Sequence, residues 1–138
     1  EQWKLKEGRA SVLEGVPRSL PALVKASRIQ EKVAGVGFDW ENSSQVWEKV
    51  QEELLEFKLE LDTGDKVSMD KEFGDVLFSL INYARSVDIN PENALELTNK
   101  KFIKRFQFLE CKAKEMQKSL HDMTLDEMNV YWEKAKGI

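Results

Sequence analysis

Two apolar stripes joined by a short turn constrain the fold of this chain more than any other feature. The first repeats at intervals of three and four residues and consists of Trp47, Val50, Leu54, Phe57 and Leu61. The second has the same period and consists of Met69, Phe73, Val76, Leu80, Ala84 and Val87. Such spacing places side chains on one face of an α-helix. Residues 62–66 between them are typical of a turn, so the sequence predicts a helical hairpin.

The rest of the chain also favours helices. The 138 residues include only 7 Gly and 3 Pro, and helix-forming Leu, Glu, Lys and Ala are frequent. We therefore predict an all-α protein, folded as an antiparallel helical bundle. Residues 1–18 are interrupted by glycines and a proline, and we expect a linker or arm from a missing upstream domain. Residues 19–138 are expected to form one helical domain.

Local signals mark several helix starts. Ser19 is expected to cap a first helix, and Ser43 or Ser44 a second. Thr124 and Glu127 have the spacing of a capping box, in which each side chain bonds the other residue's backbone N–H. Asn-Pro-Glu at 90–92 predicts the start of a long helix that runs past residue 116.

Charge and cysteine content exclude several functions. The net charge of −4 gives no basic character that would indicate nucleic-acid binding. No apolar run approaches the roughly 20 residues of a membrane-spanning helix. The single cysteine, Cys111, excludes an internal disulfide and suits a reducing compartment, so we expect a cytoplasmic protein.

Acidic residues flank both apolar stripes. Glu53 and Glu56 lie beside the first, and Glu72 and Asp75 beside the second. If the two helices pack antiparallel, the four carboxylates converge, and each close pair repels by roughly 4 kcal/mol at an effective dielectric constant near 20. A fold that tolerates this repulsion usually holds a cation. The alternative is a solvated helix face whose acids pair with lysines. This alternative is less favoured, because acidic clusters occur on two adjacent helices.

The ligand types narrow the chemistry. The candidate ligands are carboxylates without a neighbouring histidine, since His121 is remote in sequence, and hard oxygen ligands suit Mg²⁺ or Mn²⁺. Magnesium is commonly shared between carboxylates and substrate phosphates. Candidate phosphate ligands are Lys101, Lys104 and Arg105, which could equally form a solvated basic face. Because no nucleophile set is evident, a metal-activated water attacking phosphorus is the economical mechanism.

Phe38 and Trp40 stand in a short connector between the first two predicted helices. Two large aromatic side chains in such a segment favour a plug over the end of the bundle. A ligand contact is the alternative.

Taken together, these motifs resemble the MazG family of nucleoside triphosphate pyrophosphohydrolases. That family's acid motif, Glu-Glu-x-x-Glu followed after a gap by Glu-x-x-Asp, is matched by Glu52, Glu53, Glu56, Glu72 and Asp75. The segment 12–40, reading VLEGVPRSLPALVKASRIQEKVAGVGFDW, resembles the part that precedes the motif. The basic helix at 99–106 and the Tyr-Trp-Glu-Lys at 131–134 resemble later parts of the family. Nearly the whole chain is covered, and it looks like the C-terminal catalytic copy of a longer protein.

The resemblance implies an all-α bundle completed as a homodimer or higher oligomer. It also implies Mg²⁺-dependent hydrolysis of a nucleoside triphosphate to a nucleoside monophosphate and pyrophosphate. The implied metal ligands are Glu53, Glu56, Glu72 and Asp75, with Glu52 orienting or deprotonating the water.

The substrate-binding residues follow in the same way. Lys101 and Arg105, with Lys104, would hold phosphates, and Trp132 would lie against the nucleotide. Lys49, beside the first acids, is a further candidate substrate-binding residue. Two alternatives stay open: hydrolysis of another phosphate ester, and a non-catalytic helical interaction module.

Overall fold

The computed structural model describes residues 11–138. The first ten residues of the predicted arm lie outside this range, and the arm and the single domain at 19–138 stay predictions. The helices are α1 (Ala22–Ala34), α2 (Ser43–Thr63), α3 (Lys66–Ser86), α4 (Pro91–Glu115) and α5 (Leu125–Ala135), with a short 3-10 turn at Leu120–Asp122. No strand occurs in residues 11–138, which confirms the all-α class. In the same range, every helix is too short or too polar to cross a bilayer.

The described chain divides into two units, of which the first ends at Glu92 and the second covers Asn93–Ile138. In the first unit α3 packs against both α2 and α1. The ring of Trp47 lies 5.1 Å from that of Tyr83, and the ring of Phe57 lies 5.3 Å from that of Phe73. Contacts that advance along α2 therefore retreat along α3, so the two helices form the predicted antiparallel hairpin.

The buried face of α2 is rotated from the predicted stripe. Val46, Val50 and Glu53 are buried, whereas Trp47 and Leu54 are 45% and 47% exposed. On α3, Val76, Ser79 and Ile81 are buried, and much of the predicted stripe is exposed. Ser79 and Ile81 lie on different sides of α3, which packs against both α2 and α1. A stripe with a repeat of three and four spans a wide arc of the helix. The neighbouring helix covers only part of that arc, and the sequence does not say which part.

Two predicted helix caps were wrong. The first helix begins at Ala22 rather than near Ser19, because Pro21 has extended backbone and the residue before a proline is disfavoured in a helix. The second is capped by Asn42, whose side-chain oxygen accepts from the backbone N–H of Gln45 at 3.1 Å.

The second unit has its own small core. Leu109, Ala113 and Met123 are buried together, and Phe106, Leu120, Met128 and Tyr131 pack against them. The predicted start of α4 at Pro91 is confirmed, as is the capping box of Thr124 and Glu127 at the start of α5. These contacts join the C-terminal half of α4 to α5 within the unit.

Candidate metal centre

The α2–α3 hairpin brings five carboxylates into two overlapping groups. One group is Glu52, Glu53 and Glu56, and the other is Glu53, Glu72 and Asp75. Within each group, one oxygen from every carboxylate lies within 4.8 Å of the others. Acids three residues apart share one side of their helix, and the antiparallel packing turns the two sides toward each other. Glu53 belongs to both groups and is therefore the centre of the cluster.

Glu53 is buried, with 7% of its surface exposed, so it lies in the packed face of α2 and not at its edge. Its Oε1 forms a salt bridge with Lys49 Nζ at 3.1 Å. Its Oε2 is buried, and no hydrogen-bond partner for it is present in residues 11–138. A buried carboxylate oxygen without a partner is costly, and native proteins rarely retain one without a reason. A cation beside Oε2 supplies such a reason.

The acids also raise one another's pKa. The negative charge of Glu53 is the main cause that raises the pKa of Glu56, with smaller contributions from desolvation and from Glu72. Desolvation is the main cause that raises the pKa of Glu72, followed by the charges of Asp75 and Glu53. Both pKa shifts indicate that the fold holds more negative charge here than the neighbouring cations neutralise. A bound divalent cation would stabilise the ionised carboxylates in such a place.

Lys49 is the one basic residue in ion-pair contact with this cluster in the described chain. It bridges Glu52 at 3.0 Å and Glu53 at 3.1 Å, and these two hydrogen bonds raise its pKa. The structure thus places Lys49 among the acids. Its predicted role in substrate binding stays a prediction.

A cavity of about 300 Å³ opens beside the acids. Glu53, Asp75 and Lys49 line one part of it, and Trp40, Val46, Phe78, Ser79 and Asn82 line the rest. Asn82 belongs to none of the sequence motifs, although it follows Asp75 by seven residues and so lies on the same side of α3. That spacing is the signal that could have found it.

The other predicted site residues lie in the second unit. Lys101, Lys104 and Arg105 surround a small cavity of about 30 Å³ together with Ala135 and Ile138. The ring of Trp132 packs against Phe102 with centroids 4.9 Å apart. The three basic side chains therefore line one cavity, and their role in phosphate binding stays a prediction. His121 belongs to neither acidic group.

The chain is similar in sequence to parts of longer known proteins. Residues 41–108 match a sequence model described as the MazG nucleotide pyrophosphohydrolase domain. The chain is 38% identical over 99% of its length to a nucleoside triphosphate pyrophosphohydrolase/pyrophosphatase MazG of Thermotoga maritima, covering 51% of that protein. It is 36% identical over 99% of its length to a nucleoside triphosphate pyrophosphohydrolase of Escherichia coli K12, covering 54% of it. The Bacillus subtilis protein YabN is 48% identical over 92% of the chain, which covers 26% of YabN.

Proposed function

Because the chain belongs to the MazG family of nucleotide pyrophosphohydrolases, we propose that it hydrolyses nucleoside triphosphates to a monophosphate and pyrophosphate. The chain spans about half the length of the first two relatives, with 51% and 54% of them covered. The pyrophosphohydrolase names belong to those relatives, and the activity of this chain is our proposal. It is supported by the match of family and acid cluster in the same residues.

One observation carries the proposal. The buried Oε2 of Glu53 lacks a hydrogen-bond partner in the described chain at the point where both acidic groups meet. Acids on a purely solvated helix face would have water around both oxygens. An orphan oxygen in the middle of five carboxylates favours a bound cation and argues against the non-catalytic interaction module.

We propose Mg²⁺ as this cation, with Mn²⁺ as a possible substitute, because the oxygen-only donor set suits both. The proposed ligands are Glu53, Glu56, Glu72 and Asp75. When bound, Mg²⁺ would neutralise phosphate charge and lower the pKa of a water molecule. The donor set offers no nitrogen or sulfur ligand that would favour zinc or iron.

The remaining residues have proposed roles of their own. Glu52 is exposed and held on one side by Lys49, so its carboxylate is placed to orient the attacking water or accept its proton. Lys101 and Arg105, with Lys104, would bind the phosphates, since ammonium and guanidinium groups donate strongly to phosphate oxygens. Trp132 would contact the nucleotide.

We also propose that the chain assembles as a homodimer or higher oligomer in the cytoplasm. Large apolar side chains on both hairpin helices remain exposed in the single chain, including Leu55 and Leu59 at 59% each and Phe73 at 49%. Clustered apolar surface of this kind is typical of subunit interfaces. Cys111 is free and exposed, which suits a reducing compartment.

Product analysis tests the proposed reaction. The chain is incubated with a mixture of nucleoside triphosphates, with Mg²⁺ and with a chelator, and the products are separated. Monophosphate plus pyrophosphate, formed only with metal, is the expected result. Diphosphate plus phosphate would contradict the proposal by showing that another bond is cut. Absence of turnover in folded, metal-binding protein would favour a different phosphate ester.

A further inference from the structure

A second, larger pocket adjoins the acid cavity within the first unit. It has a volume of about 460 Å³, within the range of about 300–1,000 Å³ that is common for small-molecule sites. Trp40, Phe78 and Asn82 line both the acid cavity and this pocket. A ligand that holds its phosphates at the acids can therefore extend directly into the pocket.

The walls of the pocket are largely apolar and aromatic. Ile29, Val33, Phe38, Trp40 and Phe78 all line it. The sequence-based expectation that Phe38 and Trp40 plug the bundle was wrong, because these side chains are 79% and 46% exposed. Backbone explains the exposure. Gly37 has φ 96°, a left-handed conformation that turns the chain out of α1 and leaves both rings at the rim.

A hydrogen-bond network fixes the polar part of the pocket. Arg85 donates from Nη2 to the carboxylate of Asp39 at 2.8 Å and to the side-chain oxygen of Asn82 at 2.7 Å. Arg85 Nε donates to the same Asn82 oxygen at 3.2 Å. Because the oxygen of Asn82 accepts from Arg85, its NH₂ group is the part of the amide that is left to donate to a ligand.

The network also makes this end of the pocket electrically neutral. Asp39 and Arg85 form a two-point ion pair, with the second contact at 3.3 Å, so neither charge is left over for a phosphate. Gln30 donates from its side-chain NH₂ group to the carbonyl of Phe78 at 3.0 Å, and its buried side-chain oxygen has no partner in the described chain. Aromatic walls, the Asn82 donor, the Gln30 acceptor and no net charge suit a flat, neutral, hydrogen-bonding ring.

We propose that this pocket binds the base of the nucleotide and that Asn82 donates to an acceptor on its edge. The inference rests on the proposed function and names the part of the chain that sets base preference. On α3, Asp75 and Asn82 are seven residues apart, which at 1.5 Å per residue is about 10 Å along the helix. This separation suits a molecule with phosphates at one end and a base at the other.

Substitution of Asn82 tests the proposal. Asn82→Asp keeps an oxygen for Arg85 but replaces the donor with an acceptor, and Asn82→Leu removes the donor without adding charge. Steady-state kinetics are measured for a panel of triphosphates that differ only in the base. We expect KM for the preferred substrate to rise about 3- to 10-fold in both variants, the value of one hydrogen bond, with kcat nearly unchanged. The order of base preference should change in Asn82→Asp.

Phe38→Ala gives an independent test, since its exposed ring can be removed without opening the core. Loss of base stacking should raise KM by about 5-fold or more for every base. Leu125→Ala is the matched control, because it removes another highly exposed apolar side chain (70%, against 79% for Phe38) that does not line the pocket. Thermal stabilisation by Mg²⁺ alone should be the same in all of these variants.

The outcomes separate the two proposals. If the unmodified chain turns over nucleotides but the Asn82 and Phe38 variants keep its KM values and base preference, the pocket assignment is wrong and the reaction stands. The pocket assignment is equally wrong if base preference changes only in Trp132→Ala, or if kcat and stabilisation by Mg²⁺ fall with KM unaltered. Absence of turnover in the unmodified chain would overturn both proposals.

Discussion

The α2–α3 hairpin and the region around α5 are both rich in acids, yet their charges have different surroundings. Around α5, Glu127 pairs with Lys118 at 2.7 Å, and Glu133 pairs with Lys136 at 2.9 Å. In the hairpin, five carboxylates converge, and within the described chain Lys49 alone forms ion pairs with them. The paired carboxylates near α5 are explained by the salt bridges that they form within the fold. Carboxylates without such partners reduce stability, and their presence in the hairpin indicates a ligand.

The pKa shifts have opposite signs in the two regions. The pKa of Glu127 is lowered, first by its hydrogen bond from Lys118, so its ionised form is favoured by folding. The pKa values of Glu56 and Glu72 are raised, so their ionised forms are disfavoured by folding. The same residue type therefore stabilises the fold near α5 and opposes it in the hairpin. This difference distinguishes a structural acid from a candidate ligand without reference to the family.

The largest expected effect comes from neutralising the centre of the cluster. Glu53→Gln should reduce turnover by at least about 100-fold, a loss of the size seen when a single charge-stabilising group is removed from an active site. It should also abolish stabilisation by Mg²⁺, while metal-free protein unfolds no earlier than the parent because a buried negative charge is gone. Steady-state kinetics measure the loss of turnover, and thermal melting with and without Mg²⁺ measures the loss of stabilisation. We expect the same two effects in Asp75→Asn.

Glu127→Gln is the comparison variant for that experiment. It removes the same charge from the paired region, so it should lower the melting temperature and leave turnover unchanged. Equal losses of fold and activity in Glu53→Gln would instead show that the hairpin acids are structural, and the contrast between the regions would disappear.

The pH dependence of metal binding is the second expected effect. Because the folded-state pKa values of Glu56 and Glu72 lie above the ordinary 4.5, protons compete with a cation in the window just above that pH. Stabilisation by Mg²⁺, about 2.7 kcal/mol at a hundred times its Kd, should therefore weaken as the pH falls from neutral toward about 5. Melting curves across this range measure the trend.

In metal-free protein, Glu56 and Glu72 should make the free energy of unfolding change with pH in the opposite direction. Their raised pKa contributes stability at and below pH 4.5 that is lost as the pH rises through the folded-state value. Glu127 behaves in the reverse sense, since its lowered pKa contributes stability above pH 4.5 that is lost as the pH falls further. The double variant Glu56→Gln/Glu72→Gln should remove the part of the pH dependence of stability that comes from the hairpin and leave the part that comes from Glu127. If the pH dependence of stability is unchanged in this variant, Glu56 and Glu72 are not its source.

The smallest expected effect is in the paired region. Thr124→Ala removes the side-chain acceptor that caps α5, a 3.1 Å bond from the backbone N–H of Glu127. Loss of such a cap should cost about 1 kcal/mol of stability without altering KM or stabilisation by Mg²⁺. Denaturant unfolding measures the cost. A loss of activity larger than the loss of folded protein would mean that α5 takes part in the site more closely than its capping role requires.

Local signals in the sequence determined much of this protein. The turn predicted at 62–66 contains Gly64 and Asp65, the two residues that separate α2 from α3. Pro91 begins α4, and the capping box of Thr124 begins α5. The spacing of three between acids put each pair on one side of its helix. All of these features depend on contacts within about one helical turn, whose geometry is the same in any helix.

Only the tertiary structure decided which side of each helix is buried. Glu53 is covered while Leu54 is half exposed, because the α2–α3 contact selects part of a broad apolar arc. The orphan oxygen of Glu53 follows from that choice. Likewise Arg85 reaches Asp39 across 46 positions and thereby orients Asn82, a contact that no helical period encodes. Helical spacing fixes neighbours along a helix, whereas packing between helices fixes which of them meet, and the candidate site depends on both.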